Sequence, residues 1–390
     1  MEIETAKRLE HFQTGIFKTL NERKEALAAS GRTVYNLSVG TPDFPVAPHV
    51  RQALIEAAEK PENFHYMLRD TPELLAAVKD YYKERFHVEI SADEITSVNG
   101  SQEGIAHIGM ALCNPGDVVL LPNPGYPVFE AGAYFGGAEL YFYELKEENQ
   151  FLPRFDEIPE DIAKRAKYIM VSYPYNPVCA VAPHGFYEEL ITFARKHNII
   201  VIHDNAYSDI IYDGVYGGSF LEYPGAKEIG VEFFSLSKSF NLTGARVSFV
   251  IGNRKIVDAM KLLRSQYDFG MFYPIQCAAI AALRGPQDGV KKQCLEYQKR
   301  RDALCGGLRS IGWDVKDSQG TMFAWAKIPE GFSSSQEFCI ELMEKTGVIV
   351  TPGDAFGNMG EGYVRFALVL PVEVIEEAVK VIAESGILKK

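Results

Sequence analysis

Six cysteines are spread along the chain (Cys113, Cys179, Cys277, Cys294, Cys305 and Cys339), and none forms a C-x-x-C pair or a zinc-like spacing with another. No disulfide framework and no metal site is therefore expected, and the thiols read as reduced and mostly buried, as in a cytoplasmic protein. No apolar window approaches the length of a membrane span, and Glu2, Glu4, Lys7 and Arg8 precede any apolar run. Neither a membrane anchor nor a signal peptide is expected. Basic tracts are missing too. A net charge of -12 and a pI near 5.3 offer no electrostatic footprint for nucleic acid, so any anionic ligand must be held by local cations. The dinucleotide fingerprint G-x-G-x-x-G is absent, which argues against a nicotinamide dehydrogenase. There are no repeats and no low-complexity linker. What is present is ordinary globular material, 47% hydrophobic and 24% charged over 390 residues, enough for two domains or one large domain with a lobe.

From about residue 95 to 251, short apolar runs alternate with helical patterns. Strands are expected at 94–98, 118–121, 139–145, 168–171, 199–203, 233–236 and 247–251. Helical patterns at 101–113, 158–166 and 183–197, and the segment 126–135, lie between them. Continuous apolar strands joined by crossover helices indicate an α/β fold with a mostly parallel sheet covered on both faces. After Gly285 the texture changes to a long charged helix from 288 to about 310, strands at 313–315, 321–327 and 363–369, a helix at 336–345 and a terminal helix from 372. This reads as a smaller α+β domain. The expected division is 46–285 for the large, ligand-binding domain, and 1–45 with 286–390 for the smaller one.

Ligands of such sheets bind beyond the carboxyl ends of the strands, and the unusual residues fall there. Gly100-Ser101-Gln102 opens a helix directly after a strand, which suits a phosphate, although an ordinary serine cap explains it equally. Asp204 follows the run Ile199-Ile200-Val201-Ile202-His203; it is either the partner of a protonated ring nitrogen, with Tyr207 near a phenolic oxygen, or a helix cap. Ser235-Leu236-Ser237-Lys238 places a lysine among serines after another strand, with Arg246 eight residues on. Such a lysine can form a Schiff base while hydroxyls and a guanidinium hold a phosphate, or it can be an ordinary loop lysine. Tyr126 can stack on a planar ligand or belong to the core. Arg365, mid-strand in Gly362-Tyr363-Val364-Arg365-Phe366, needs an anion: a substrate carboxylate, or one of the protein's own acids.

Together these parts describe a pyridoxal phosphate site for an amino acid. The chain resembles the class I/II aminotransferases of the fold-type I pyridoxal phosphate superfamily over nearly its whole length. The resemblance rests on Ser235-Leu236-Ser237-Lys238 with Arg246, Tyr173-Pro174-Tyr175-Asn176-Pro177, the Asp204/Tyr207 pair and Arg365, which occur in family order. It implies pyridoxal 5'-phosphate (PLP) as cofactor, an L-amino acid and a 2-oxo acid such as 2-oxoglutarate as substrates, and a homodimer with shared active sites. On this resemblance Lys238 is the Schiff-base lysine and proton shuttle. Ser101, Gln102, Ser235, Ser237 and Arg246 hold the phosphate, Tyr126 stacks on the ring, Asp204 pairs with the ring nitrogen, and Asn176 and Tyr207 contact the ring oxygen. Gly40 and Arg365 take the substrate α-carboxylate, with Asn176 nearby, and Tyr66 reaches the phosphate of the neighbouring subunit.

Within the family the chain is most similar to bacterial LL-diaminopimelate aminotransferases, on Gly100-Ser101-Gln102-Glu103-Gly104-Ile105-Ala106-His107, Asn114-Pro115-Gly116-Asp117-Val118-Val119 and His203-Asp204-Asn205-Ala206-Tyr207-Ser208. It departs from the family pattern at Tyr175, Val178 and Cys179, where Asn-Asn-Pro-Thr-Gly is usual, at Ala245, and in the turn 67–71 after Tyr66. The first and last of these are expected to bear on side-chain selectivity. The same parts would also serve a carbon–sulfur β-lyase, which expels a β-leaving group instead. A regulator on this fold would need an added DNA-binding segment, for which the chain shows no basic patch.

Overall fold

The computed structural model describes residues 3–12, 22, 23, 25, 27, 29 and 31–389. The remainder of the expected N-terminal stretch, at 1–2, 13–21, 24, 26, 28 and 30, lies outside the described residues. Two compact units emerge. The larger comprises 41–298 and 318–322; the smaller comprises 1–40, 299–317 and 323–390.

The larger unit is built on a seven-stranded sheet. Its strands are β1 (Ile95–Val98), β2 (Val118–Asn123), β3 (Glu139–Glu144), β4 (Ala166–Ser172), β5 (Ile200–Asn205), β6 (Gly230–Ser235) and β7 (Ser248–Gly252), in spatial order β1-β7-β6-β5-β4-β2-β3. All neighbours run parallel except β7, which is antiparallel to both β1 and β6. The inner strands form because both of their faces are buried: every residue of β6 and β7 is buried, so a largely apolar run is favoured over an alternating one. Helices α1 (Ser101–Leu112) and α2 (Pro127–Phe135), which follow β1 and β2, approach so closely that a Cβ on Gly109 or Gly132 would strike the other helix's backbone. Glycine is therefore required at both positions.

In the smaller unit, β8 (Phe323–Lys327), β9 (Thr351–Pro352) and β10 (Tyr363–Ala367) form an antiparallel sheet in the order β9-β10-β8, with helices Ser335–Thr346 and Val372–Glu384. The strand expected at 313–315 is not formed. Its backbone groups bond elsewhere: the Trp313 N–H donates to the Leu308 carbonyl at 3.0 Å, and the Val315 carbonyl accepts from Arg309 at 2.7 Å.

Candidate active site

The carboxyl ends of β1, β2, β4, β5 and β6 lie on one edge of the large sheet, together with the start of the antiparallel β7. Register fixes the neighbours there. Ser248 stands opposite both Val98 and Ser235, Phe233 opposite Asp204, and Asp204 opposite Ser172. The loops after these strands carry the residues singled out in the sequence.

At the β1 end the helix cap is Gly100, not Ser101. Gly100 takes φ +89° and caps with no side chain, so the first-turn N–H groups of α1 face outward. Ser101 is left to donate its hydroxyl to Ser248 at 3.1 Å. The Arg246 guanidinium occupies the space over Gly100, where a Cβ would run into it, and also donates to the Thr243 carbonyl at 3.0 Å. Ser235 caps the short helix Leu236–Ser239, accepting from the Ser237 N–H at 3.1 Å. Outward amides, three serines and a guanidinium thus gather at one sheet edge, which is the chemistry of a phosphate cradle. Gln102 borders it, its amide oxygen accepting from the Tyr126 hydroxyl at 3.1 Å.

Lys238 lies in the Leu236–Ser239 helix and is half-buried, and its carbonyl accepts from the Gln293 amide at 2.8 Å. Asn176 and Tyr207 are buried, following β4 and β5. Asp204 is no helix cap: it is part of β5, and a turn follows. Only 7% of it is exposed, and its Oδ1 is sealed from solvent without a hydrogen-bond partner. Burial pushes this carboxyl up to about 7; Glu232 adds to the rise, while the Ala206 backbone N–H acts against it. A buried carboxylate oxygen lacking a donor is costly unless a proton is shared with it. A protonated ring nitrogen meets that need. The cofactor's phosphate and ring thus both find fitting residues on this edge.

In the smaller unit, the Arg365 guanidinium lies between the Phe323 and Phe356 rings, at 4.1 and 4.6 Å from their centres, and donates to the Ser38 carbonyl at 3.1 Å. Gly40 abuts the same Phe323 ring so tightly that a Cβ would overlap it. Gly40 and Arg365 are thereby brought around one aromatic side chain.

Residues 32–382 match the family described as aminotransferase class I and II. The chain belongs to this family. It is 42% identical to an LL-diaminopimelate aminotransferase of Dehalococcoides mccartyi, over 97% of this chain and 98% of that one. It is 41% identical to the enzyme of the same name from Halothermothrix orenii, over 99% of both. Among solved structures, substrate-bound BacF from Bacillus subtilis superposes with a TM-score of 0.94 at 36% identity, covering 98% of each chain. A probable N-succinyldiaminopimelate aminotransferase from Thermus thermophilus gives 0.90 at 34% identity, covering 95% of this chain and 99% of that one. The protein is thus an aminotransferase of fold type I, a family that uses PLP.

Two features of this aminotransferase depart from what its sequence suggested. Tyr175, Val178 and Cys179 do not line an open pocket; all three are buried. The Tyr175 hydroxyl donates to the Pro124 carbonyl at 2.6 Å and so braces the turn leading to Tyr126. Cys179 stands at φ +63°, a left-handed conformation, and donates to the Pro177 carbonyl at 3.2 Å. Such a conformation costs about 1–2 kcal/mol for a residue with a Cβ.

The turn 67–71 is equally tied down. Asp70 accepts from the Ser97 backbone N–H at 2.7 Å and from its hydroxyl, and Gly270 N–H donates to the Met67 carbonyl. Arg264 in turn donates to the Ser97 carbonyl and pairs with Asp268, which accepts from Asn99 at 3.0 Å. Ser97, Arg264, Asp268 and Gly270 were not marked by sequence reasoning, because their bonds to the turn and to Asn99 join distant segments. Ser248 did leave a signal: a hydroxyl within the apolar run Val247-Ser248-Phe249-Val250-Ile251.

Proposed function

We propose that this aminotransferase binds PLP at the large sheet's edge and moves the amino group of LL-diaminopimelate to 2-oxoglutarate. The unpartnered buried Oδ1 of Asp204, on the edge that also carries the Lys238 helix, is the observation that carries the reading. PLP, when bound, supplies an electron sink for the charge left on the substrate's α-carbon. Asp204 keeps a proton on the ring nitrogen. Lys238 provides the amine that holds the cofactor covalently and, once released, carries the α-proton between carbon atoms. Ser101, Gln102, Ser235, Ser237 and Arg246 hold the phosphate, Tyr126 covers the ring, and Asn176 and Tyr207 orient its oxygen. Arg365 receives the substrate carboxylate as a planar two-donor fork, with Gly40 allowing close approach. On this reading the two units act as a large cofactor domain and a smaller substrate-carboxylate domain.

The donor is proposed from the names of relatives about 40% identical over nearly the whole chain. A homodimer is proposed from an exposed aromatic surface: Tyr66 is 82% exposed, its ring tilted against the exposed Phe269 at 5.2 Å, and Phe64 and Phe272 are exposed too. In the dimer Tyr66 would reach the partner's phosphate. No helix among the described residues is long and apolar enough to cross a membrane. The six cysteines form no disulfide, which suits a reducing compartment such as the cytoplasm.

The test is uptake of one PLP per chain by purified protein, its covalent fixation by borohydride, and a donor panel of LL-diaminopimelate, alanine, aspartate, glutamate and aromatic amino acids with 2-oxoglutarate. LL-diaminopimelate should be the preferred donor, and Lys238→Ala should abolish both fixation and turnover. Pyruvate and sulfide released from cysteine with no acceptor present would favour the β-lyase instead. Transamination by Lys238→Ala at the wild-type rate would end the assignment.

A further inference from the structure

On the opposite face of β5 and β6 from Asp204 lies a polar cluster in which both principal side chains are wholly buried. His203 and Glu232 stand opposite each other in the parallel register of these strands, each with no accessible surface. The Glu232 carboxylate receives four donors. Its Oε1 accepts from the Tyr82 hydroxyl at 2.7 Å and the Ser219 hydroxyl at 2.8 Å. Its Oε2 accepts from the Phe220 N–H at 2.9 Å and from His203 Nδ1 at 2.8 Å. Burial raises the Glu232 carboxyl, but the bonds from His203, Tyr82 and Ser219 outweigh it and leave it lowered.

The other ring nitrogen settles the tautomer. The backbone N–H of Tyr173 donates to His203 Nε2 at 3.3 Å, and the Tyr187 hydroxyl lies 3.0 Å from the same atom. A backbone N–H cannot accept, so Nε2 offers its lone pair and the ring hydrogen sits on Nδ1, directed at Glu232. Tyr173 is the first residue after β4, three residues before Asn176; His203 is the residue before Asp204. One histidine thus ties the start of the Asn176 segment to the strand that presents Asp204. On the other side of the same strands, Ser172 adds a bond to the Asp204 carbonyl at 3.0 Å.

We infer that His203, fixed by Glu232, is a positioning residue for the cofactor ring, holding the backbone at Tyr173 so that Asn176 and Asp204 stay in register as a pair. The inference rests on the PLP reading above and adds two residues that touch neither cofactor nor substrate. Glutamine at 203 can reproduce the geometry, its amide N–H directed at Glu232 and its oxygen accepting from Tyr173; leucine can do neither.

The experiment compares His203→Leu, His203→Gln and, as a core-weakening control in the same unit, Val257→Ala, each assayed for PLP dissociation constant, position of the bound-PLP absorption band and thermal stability of the cofactor-free protein. His203→Leu is expected to weaken PLP binding about tenfold and shift the band, with His203→Gln within about threefold of wild type. Val257→Ala should lower stability with neither effect. Wild-type affinity and spectrum in His203→Leu overturns the inference, and so does loss of affinity in Val257→Ala matching that in His203→Leu at equal loss of stability. A measurement on the unmutated chain covers the case in which His203→Leu does not fold. The ¹⁵N-histidine spectrum of the wild type should show a buried ring with its proton on Nδ1, and a proton on Nε2 overturns the anchor. A wild-type protein that takes up no PLP while showing the Nδ1–H ring would instead sink the functional reading and leave the anchor intact.

Discussion

Asp204 gives the sharpest quantitative prediction, because its burial should harm the cofactor-free protein in a pH-dependent way. An ordinary aspartyl carboxyl ionises near 3.8, and in the folded chain this one is pushed up to about 7, first by burial. A carboxyl raised on folding contributes stability that is fully present below its unfolded value and is lost as pH rises through its folded value. Between those limits the loss amounts to about 4 kcal/mol. At pH 5 less than half of it has been lost, and by pH 8 nearly all of it. Asparagine at this position has no such dependence. The difference in unfolding free energy, Asp204→Asn minus wild type, should therefore grow by about 2–3 kcal/mol from pH 5 to pH 8.

Urea unfolding of cofactor-free protein at fixed chain concentration, followed at half-unit pH steps, measures that difference directly. The constant offset between asparagine and aspartate drops out, since only the growth with pH is compared. Parallel pH profiles for the two proteins would refute the reasoning. PLP should then reverse the ranking. With the ring nitrogen bound, the carboxylate has the partner it lacks, and losing one member of a buried charged pair costs about 3–5 kcal/mol. Asp204→Asn should accordingly lower kcat/KM by roughly 10²- to 10⁴-fold while stabilising the empty protein at neutral pH.

Gly100→Ala places a Cβ on the Arg246 guanidinium at a φ of +89°, so PLP affinity should fall by about tenfold in a cofactor titration, with a loss of about 1–2 kcal/mol in unfolding free energy from the left-handed backbone. Arg365→Lys removes the planar fork held between Phe323 and Phe356; KM for the amino acid should rise at least about tenfold while the bound-PLP spectrum is unchanged. Tyr175→Phe removes the bond to Pro124 and should cost about 1–2 kcal/mol in urea unfolding, with no change in the order of preferred donors.

The larger unit's architecture was readable because its inner strands are buried on both faces, and such strands can only be written as apolar runs. Lys238, Asp204, Asn176 and Ser101 stood out for a related reason: each is a polar residue just past a strand-like run. Glu232 shows the limit of that reading. It sits inside the run Gly230-Val231-Glu232-Phe233-Phe234, a signal as strong as any at the strand ends, yet its meaning depends on Tyr82, Ser219 and His203, which no local pattern joins to it. The missing strand at 313–315 failed for the opposite reason. Its composition is strand-like, but the Leu308 carbonyl and Arg309 take the Trp313 N–H and Val315 carbonyl that a ladder would use.

The departures from the family pattern acquire a different meaning once their partners are known. Tyr175 uses its hydroxyl on Pro124, two residues before Tyr126; Cys179 closes back on Pro177; Asp70 is held by Ser97, three residues before Gly100. Tyr175 and Cys179 therefore bear on the placement of residues proposed to touch the cofactor rather than offering a new surface to the substrate, whereas the turn 67–71 keeps Leu68 and Arg69 exposed. A side chain that is 1% exposed with its only polar atom bonded internally cannot choose between an acidic and an aromatic substrate by contact. It can do so only by shifting Tyr126 or Asn176, which would change cofactor spectra and donor preference together. Selectivity independent of the cofactor has to come from side chains that remain open to solvent in the cofactor-free protein.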